Sequence, residues 1–470
     1  MRAAAEVERT GIRSVAIVGK GFDLLAKTIA KAEGLTSSLV AVYPGIVLTD
    51  SDEVFERKVN EVLVPLVLEG LTGSDDTPAA AVETPDGDAS EIEETHEPGE
   101  IVASGDFDDI QEHFLRKLWT DGLPIVPPTR EKVFEFVDRS GREPDEVLGV
   151  LAPTYREATV WSVAANAVMA GCRPEYMPLL IALVECIGDP EFRLQDAGST
   201  PGWEPMVIVS GPVVERLDFN SGAAALRIGR QANSAIGRFT RLYMRNVGGY
   251  LTPPGTTDMG GFGMNFHVAL AENDEAIREI GWPTLREDEG FDRSASTVSV
   301  QSVAIVSGPI YSAGARGVDH LETITPMFRN AIGPWAGFCG YRFDVLYTLL
   351  VMCPSVARVF AEDGWSKDDV RAYLGEHMTM NAAQMNAQAA RSAAMADFRV
   401  ETTARGRRIL AARGIDPETV DSSALEMPAL IDIDKMAITV AGNPARNQSR
   451  AFVGNHGQGV RITKQIRFPD

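Results

Sequence analysis

The sequence predicts an α/β protein: a small β-α-β-α unit at the N-terminus, an acidic disordered tether, and a large, pseudo-repeated α/β region with a mixed sheet. Short apolar runs typical of buried strands alternate with longer segments of helical periodicity. Residues 72–104 are acidic, rich in Pro, Ser and Thr, and nearly free of aromatic residues. The predicted domains are residues 1–71, 72–104, 105–300 and 301–470.

The N-terminal unit combines two strands, at residues 14–19 and 38–44, with helices at 21–34 and 49–71. So few elements make a poor independent domain, and their strand edges need a partner sheet. We therefore expect this unit to dock on the large region or on another subunit, which makes a homo-oligomer the expected state. Deletion of residues 1–104 should leave an insoluble or destabilised remainder.

Most of the formal net charge of −22 comes from one stretch of the chain. No Lys or Arg lies between Lys58 and Arg116, and that stretch carries 16 Asp and Glu residues, so the rest of the chain is only mildly acidic. A segment of this composition cannot bury enough apolar surface to order itself, which predicts a disordered tether. Nucleic-acid binding through a basic face is not expected.

The chain has the features of a cytoplasmic protein. Four cysteines in 470 residues do not form a disulfide framework. The N-terminus shows no apolar run followed by a cleavage site, and no run of about 18 apolar residues predicts a membrane span.

The large region contains a weak internal repeat. The spacing from Cys172 to Cys186 equals that from Cys339 to Cys353. Three apolar runs, at residues 206–212, 303–309 and 436–444, also end in or near glycine. Such a pattern predicts a pseudo-symmetric α/β body with ligands at the strand ends, although the cysteine spacing can also arise by chance.

Cys172 is the first candidate catalytic residue. Pro174 suits the first position of a helix, so Arg173 is predicted as the cap and Cys172 lies just outside it. A helix N-terminus and a neighbouring arginine both stabilise a thiolate. The alternative is a buried, inert cysteine.

A second candidate is an anion site in the Gly/Asn/Arg segment 219–249. A glycine turn, a helix N-cap and arginines can together hold a carboxylate or phosphate, whereas the alternative is a solvated helix face with ordinary turns. No phosphate-loop pattern is present, which disfavours a nucleoside triphosphate. The candidate substrate-binding residues are Asn220, Ser221, Gly222, Arg230, Asn233 and Arg238.

His267 and Glu272 follow a Gly-rich loop and can serve as base or acid, although a lone histidine in an apolar strand is more often structural. His320 lies close to Asp319 and Glu322, but no HExxH or CxxC pattern supports a metal there. His456 lies in a turn that can close over a pocket. The sequence identifies no metal site and leaves the cofactor unknown.

Residues 13–72, from "RSVAIVGKGFDLL" to "LVPLVLEGLT", resemble the second half of the small proteins named for their UGSC motif, selenocysteine or cysteine followed by Gly-Ser-Cys. The motif itself belongs to the first half, which this chain lacks, so no catalytic residue carries over. The large region, with "DGLPIVPPT", "NAVMAGCRPEYMP" and "NSGAAALRIGRQANSAIGR", resembles uncharacterised proteins associated with that family. The resemblance implies thiol or selenol chemistry nearby and two formerly separate polypeptides joined by the tether.

Three functions remain open. The first is an enzyme acting on a small anionic organic substrate, with Cys172 as nucleophile or redox group and His267 or Glu272 moving protons. The second is a lyase or hydrolase that uses acid–base residues or a metal, with Cys172 inert. The third is a non-catalytic assembly subunit.

Overall fold

The computed structural model describes most of the chain in two compact units. The first comprises Met1–Thr95, Tyr341–Phe343 and Asn381–Leu425, and the second comprises His96–Gly340, Asp344–Met380 and Glu426–Asp470. The described residues are 4, 7, 8, 10–20, 26, 40–45, 52–72, 98–197, 202–251, 268–343, 346–391, 395–430, 432–455 and 458–469.

The first unit contains the two predicted N-terminal strands. β1 (Ala16–Gly19) and β2 (Val40–Tyr43) pair in parallel, as a β-α-β connection requires. The helix predicted at 49–71 runs as α1 (Asp52–Lys58), a π-helical turn (Val59–Leu63) and α2 (Val64–Thr72).

Ala41, Tyr43 and Leu63 form the small core between these strands and this helix. Apart from Ala26, the helix predicted at 21–34 lies outside the described residues, as does tether segment 73–97. The later part of this unit holds α14 (Ala382–Ala390) and α15 (Ala404–Ala412).

The second unit carries the remaining elements. Its helices are α3 (Phe107–Arg116), α4 (Arg130–Ser140), α5 (Val160–Ala170), α6 (Met177–Ile187), α7 (Val213–Arg216), α8 (Gln231–Asn246), α9 (Asp274–Ile280), α10 (Leu285–Asp288), α11 (Gly317–Phe343, broken at Gly333 and ending in the first unit), α12 (Pro354–Glu362) and α13 (Lys367–His377). Its strands are β3 (Val147–Leu151), β4 (Arg156–Thr159), β5 (Glu204–Ser210), β6 (Leu270–Ala271), β7 (Thr297–Val303), β8 (Ile305–Val306), β9 (Ile310–Tyr311), β10 (Thr348–Met352), β11 (Thr379–Asn381, whose last residue opens a segment of the first unit), β12 (Glu426–Pro428), β13 (Ala437–Val440), β14 (Gln448–Val453) and β15 (Ile462–Gln465).

Two mixed sheets form the centre of this unit, as the sequence predicts. The first has the strand order β6-β5-β7-β15, with β5 parallel to β6 and antiparallel to β7. The second has the order β13-β10-β14-β8, with β9 also on β14, and β10 is parallel to β13 and antiparallel to β14. β5 and β10 therefore each have one parallel and one antiparallel neighbour.

The two sheets also exchange strands. β7 belongs to the first sheet, but the next strand in the chain, β8, belongs to the second. In the same way β14 belongs to the second sheet, and the strand that follows it, β15, belongs to the first. The predicted pseudo-repeat is thus present in the strand pairing. The cysteine spacing does not mark it, because Cys186 lies in a helix whereas Cys353 follows a strand.

The turns after β5 and β13 require glycine. Gly211 and Gly442 both have a φ of 105°, a conformation that side chains disfavour. A Cβ on Gly211 would lie 2.2 Å from the carbonyl oxygen of Ala295, and one on Gly442 would lie 2.9 Å from the Cys353 sulphur. The prediction of strands that end in glycine turns is confirmed at these two positions.

The first sheet is buried on both faces. Val207 and Val209 of β5 face the largest core cluster, which also contains the apolar residues of α5, α6 and α8. Met206 and Ile208 point to the other face, where they pack with Leu349 and Phe452 of the second sheet. Successive side chains along a strand point to opposite faces of the sheet. One face of β5 therefore packs in the helix–sheet core, and its other face packs in the sheet–sheet core.

The exchanged strands explain why the predicted boundary near residue 300 does not appear in the structure. A division there would remove β15 from the first sheet and β8 from the second. No helix within the described ranges is both long and apolar enough to cross a membrane.

Candidate functional site

A polar corner lies at the carboxyl ends of β5, β6 and β13, beside the apolar layer between the sheets. Glu272 follows β6, and its backbone N–H donates to the carbonyl of Val209 on β5. The N–H of Asn273 donates to the carbonyl of Val440 on β13, and its side chain caps α9. Open α/β sheets bind ligands at such carboxyl ends.

The Glu272 carboxylate is completely buried and accepts hydrogen bonds from three groups. The hydroxyl of Ser210 donates to Oε2, the hydroxyl of Thr439 donates to Oε1 at 2.8 Å, and the N–H of Leu285 donates to Oε1 at 2.9 Å. Burial raises the pKa of Glu272 above its ordinary value, and the positive charge of Lys367 and these hydrogen bonds offset only part of that rise.

Arg286 is the cation beside Glu272, with 4.0 Å between the two charged groups. It forms a bidentate pair with Asp274 at 2.8 and 2.7 Å, and it donates to the Ser210 hydroxyl and to the carbonyl of Arg293. A second buried pair, Lys367 with Asp288 at 2.7 Å, belongs to the same unit. Charges buried in this way require such partners.

The partners of Glu272 differ in one chemical respect. The Leu285 N–H can only donate, whereas the hydroxyls of Ser210 and Thr439 can each donate or accept. When Glu272 takes up a proton, one of these hydroxyls can rotate and accept a hydrogen bond from the protonated carboxyl group, so the carboxyl group keeps its partner. The corner can therefore hold this carboxyl group in either protonation state.

Arg450 is the second notable side chain, and its guanidinium group is unpaired. On the second sheet Arg450 lies opposite Val351, which in turn lies beside Thr439, so the three side chains share the face that packs on the first sheet. Two strand spacings separate Arg450 from Thr439, a distance of about 10 Å. Arg450 is half-buried, and within the described ranges its guanidinium has no hydrogen bond, ion pair or ring contact.

The structure places Cys172 in surroundings that do not favour the predicted tuned thiolate. Arg173 does cap a turn that begins at Pro174, but the turn is a short 3-10 segment, and Arg173 lies over the Tyr176 ring and donates to its hydroxyl. The Cys172 thiol packs against the core and donates to the carbonyl of Ala235 at 3.5 Å. Burial raises the pKa of Cys172 well above its ordinary value, and the charge of Arg238 lowers it only slightly in return.

The predicted anion turn does form, but the chain itself bonds to two of its backbone groups. The N–H of Gly222 donates to Oδ1 of Asn220, and the Ser221 carbonyl accepts from the N–H of Gly442. Asn233 is not the helix cap: α8 begins at Gln231, and the buried Asn233 side chain bonds to the backbone of Asn220 and Ala269.

The arginines of this segment hold carboxylates of the chain itself. Arg238 makes two 2.9 Å bonds to Asp121, and exposed Arg230 pairs with Asp218 at 3.0 Å. Burial alone would raise the pKa of Asp121, but the hydrogen bond and charge of Arg238 bring it below its ordinary value. Of the predicted arginines, Arg238 and Arg230 are therefore engaged by carboxylates of the chain itself.

The histidine predictions divide into two groups. His267 and His456 lie outside the described residues. His320 is buried, with Nδ1 2.7 Å from the Ser312 hydroxyl, and Asp319 pairs with Arg316 instead. Within the described ranges no group of three His, Cys, Asp or Glu side chains is arranged to hold a metal ion.

Among the predicted site residues that the structure describes, Glu272 alone lies in the polar corner, and Ser210, Thr439, Arg286 and Arg450 were missed. Ser210 lies within the run "MVIVSGP", residues 206–212, which was identified from the sequence. Arg450 interrupts the apolar alternation of "SRAFV", and an arginine on the buried face of a strand is the signal that could have found it. No known family model matches this chain, and no curated protein matches it.

Proposed function

We propose that this protein is an enzyme that acts on a small anionic organic molecule through acid–base chemistry. Arg450 anchors the anion, and Glu272 donates or accepts the proton. The observation that carries the proposal is a buried carboxyl group with a raised pKa, at the carboxyl ends of three strands, in line with an unpaired arginine. Cys172 serves as a packing residue in this scheme.

A comparison within the chain supports a role beyond folding for Glu272. The N–H of Ala441 donates to the Met352 carbonyl as the N–H of Glu272 donates to the Val209 carbonyl, so the two residues hold equivalent positions after β13 and β6. The second sheet therefore has an alanine, Ala441, at the position that Glu272 occupies in the first sheet. The strand pattern by itself therefore does not require a carboxylate.

The geometry of the row limits the size of the substrate. Arg450 lies about 10 Å from Thr439, and Thr439 bonds to Glu272. A small organic anion can place its carboxylate on the arginine and its reacting atom near the carboxyl group. We also propose a cytoplasmic homo-oligomer, as the composition and the small N-terminal unit predict.

Calorimetric titration of the full chain with acetate, oxalate and succinate tests the anion site. We expect saturable binding of at least one carboxylate, and a loss of about tenfold or more in affinity in Arg450→Met, because a charge-assisted hydrogen bond contributes about 1.5–3 kcal/mol. Arg139→Met, at an exposed arginine of α4, is the matched control and should bind normally. Equal binding by both variants, or no binding by the native chain, would exclude this anchor.

Proton uptake tests Glu272 without knowledge of the reaction. An anion bound near this carboxyl group raises its pKa further, so binding should take up protons, as measured in buffers with different ionisation enthalpies. Glu272→Gln should retain binding and lose this uptake. Unchanged uptake in the variant would contradict the proton-transfer role, and copurification of a second chain with no carboxylate binding would favour the assembly subunit instead.

A further inference from the structure

The opposite end of the second sheet contains a separate buried polar pair, Asn455 and Gln458. Both follow β14, and their exposed fractions are 3% and 4%. The N–H of Asn455 donates to the Ser302 hydroxyl at 3.0 Å, and its side-chain nitrogen donates to the carbonyl of Ala197 at 3.0 Å and to Oε1 of Gln458 at 3.1 Å.

The backbone holds both side chains in place. Gly454 has no space for a side chain, since a Cβ would lie 2.7 Å from the carbonyl oxygen of Tyr347. After Gln458, the N–H groups of Gly459 and Val460 donate to the carbonyls of Phe192 and Glu191. Neither amide can swing out to solvent without breaking these contacts.

Two polar atoms of this pair, Oδ1 of Asn455 and Nε2 of Gln458, have no hydrogen-bond partner among the residues that the structure describes. Rotating either side-chain amide by 180°, which exchanges its oxygen and nitrogen, does not provide the missing hydrogen bonds. The Asn455 nitrogen must face the Ala197 carbonyl, and Gln458 must then present its oxygen to that nitrogen. The pair consequently offers one fixed acceptor and one fixed donor.

We infer that Asn455 and Gln458 form a binding site for a neutral hydroxyl oxygen, supplied by an enclosed water or by a hydroxylated small molecule. Such an oxygen donates its hydrogen to Oδ1 of Asn455 and accepts one from Nε2 of Gln458. A carboxylate has no hydrogen for Asn455, and a metal cation has no acceptor for Gln458, so neither fits. A buried polar group without a partner destabilises the folded state, which is the driving force for occupancy.

The test is a high-resolution crystal structure of the full chain, grown without alcohols or polyols. We expect density within hydrogen-bond distance of both Oδ1 of Asn455 and Nε2 of Gln458. A single spherical peak identifies water, and density over several atoms identifies a hydroxylated molecule, which mass spectrometry of the denatured protein then names. No peak, or a peak that contacts only one of the two atoms, overturns the site.

Variants at two buried glutamines sharpen this test. Gln458→Met removes the donor, and the peak should disappear. Gln301→Met is the matched control: Gln301 is equally buried, but both of its amide atoms are already bonded, to Tyr347 and Arg461, so the peak should remain. If Gln458→Met fails to fold, the density in the native chain still decides. Persistence of the peak in a folded Gln458→Met protein contradicts the role of Gln458.

Discussion

The two sheets of the large unit share one strand pattern but differ at the carboxyl ends of their parallel strands. In the first sheet, β6 is followed by Glu272, which is buried among hydroxyls and close to Arg286. In the second sheet, β13 is followed by Ala441, and β10 by Cys353 at the start of α12. Equivalent backbone positions therefore carry a charge in one sheet and none in the other.

This difference separates what the fold needs from what the chain adds. A glycine turn with a φ of 105° occurs in each sheet, after β5 in the first and after β13 in the second, although these two strands are not equivalent. The charged corner occurs once, and burial of its groups costs free energy that an apolar packing would not. Such a feature is a candidate for function, and the following experiments test whether the asymmetry has that meaning.

Arg286→Met should have the largest effect, because it leaves Asp274 without its bidentate partner in a buried site. Arg286 is 2% exposed, and loss of one member of a buried charge cluster costs about 3–5 kcal/mol of unfolding free energy. Urea denaturation measures this cost, with Arg139→Met as a control within about 0.5 kcal/mol of the native chain. A loss of unfolding free energy below about 1 kcal/mol in Arg286→Met would show that the charged groups of the corner are not energetically coupled to one another.

Glu272→Gln should change how stability depends on pH. Burial raises the folded pKa of Glu272 above 4.5, so the folded state holds this proton more tightly than the unfolded chain. Its stabilising contribution is complete below about pH 4.5 and is lost as pH rises through the folded pKa.

Glutamine does not titrate, so the stability of the variant relative to the native chain should rise over that interval, by up to about 1.4 kcal/mol per pH unit. Urea denaturation of both proteins between pH 4 and pH 8 checks this. A stability difference that stays constant over the range would mean that Glu272 does not titrate there.

Two threonines near the corner should respond in opposite directions. The Thr439 hydroxyl donates to Glu272. The Thr297 hydroxyl, opposite Ser210 on the next strand, is buried and has no hydrogen-bond partner among the described residues. Thr439→Val should lower the unfolding free energy by about 1 kcal/mol, and Thr297→Val should raise it by up to about that amount. The same sign in both variants would contradict these hydrogen-bond assignments.

Cys172→Ala should have the smallest effect on function. The thiol is a packing group with a raised pKa, so anion binding and proton uptake should remain unchanged, and the cost in stability should be about 1 kcal/mol. Iodoacetamide should label Cys172 in the native chain far more slowly than in the urea-unfolded chain. Fast labelling near neutral pH would restore the thiol hypothesis.

Much of the local structure was predictable because it depends on short-range chemistry. Apolar runs predicted β5 and β13 and the glycine turns that follow them, and Ser366 with Asp369 forms a local cap of α13. Pro174 correctly indicated the start of a helical segment, which continues as α6. Helix caps and alternation patterns involve residues only a few positions apart.

The site predictions failed where they needed a distant partner. The sequence offered Arg238 as an anion ligand, but Asp121 occupies it from 117 residues away along the chain. Cys172 had the local features of a reactive thiol, yet packing against α8 governs its pKa. A local pattern states which chemistry a side chain can perform, whereas its neighbours in space determine whether that chemistry is available.

The sequence by itself determined the α/β class, the acidic stretch before residue 104, the strand-ending glycines and Glu272 as a candidate acid. Only the tertiary structure decided that β8 and β15 change sheets, that Glu272 meets Thr439 and Arg286, and that Arg450 lies unpaired in the same row. The physical reason is sequence separation: propensity and periodicity act over one element, but sheet register and burial join residues more than 100 positions apart.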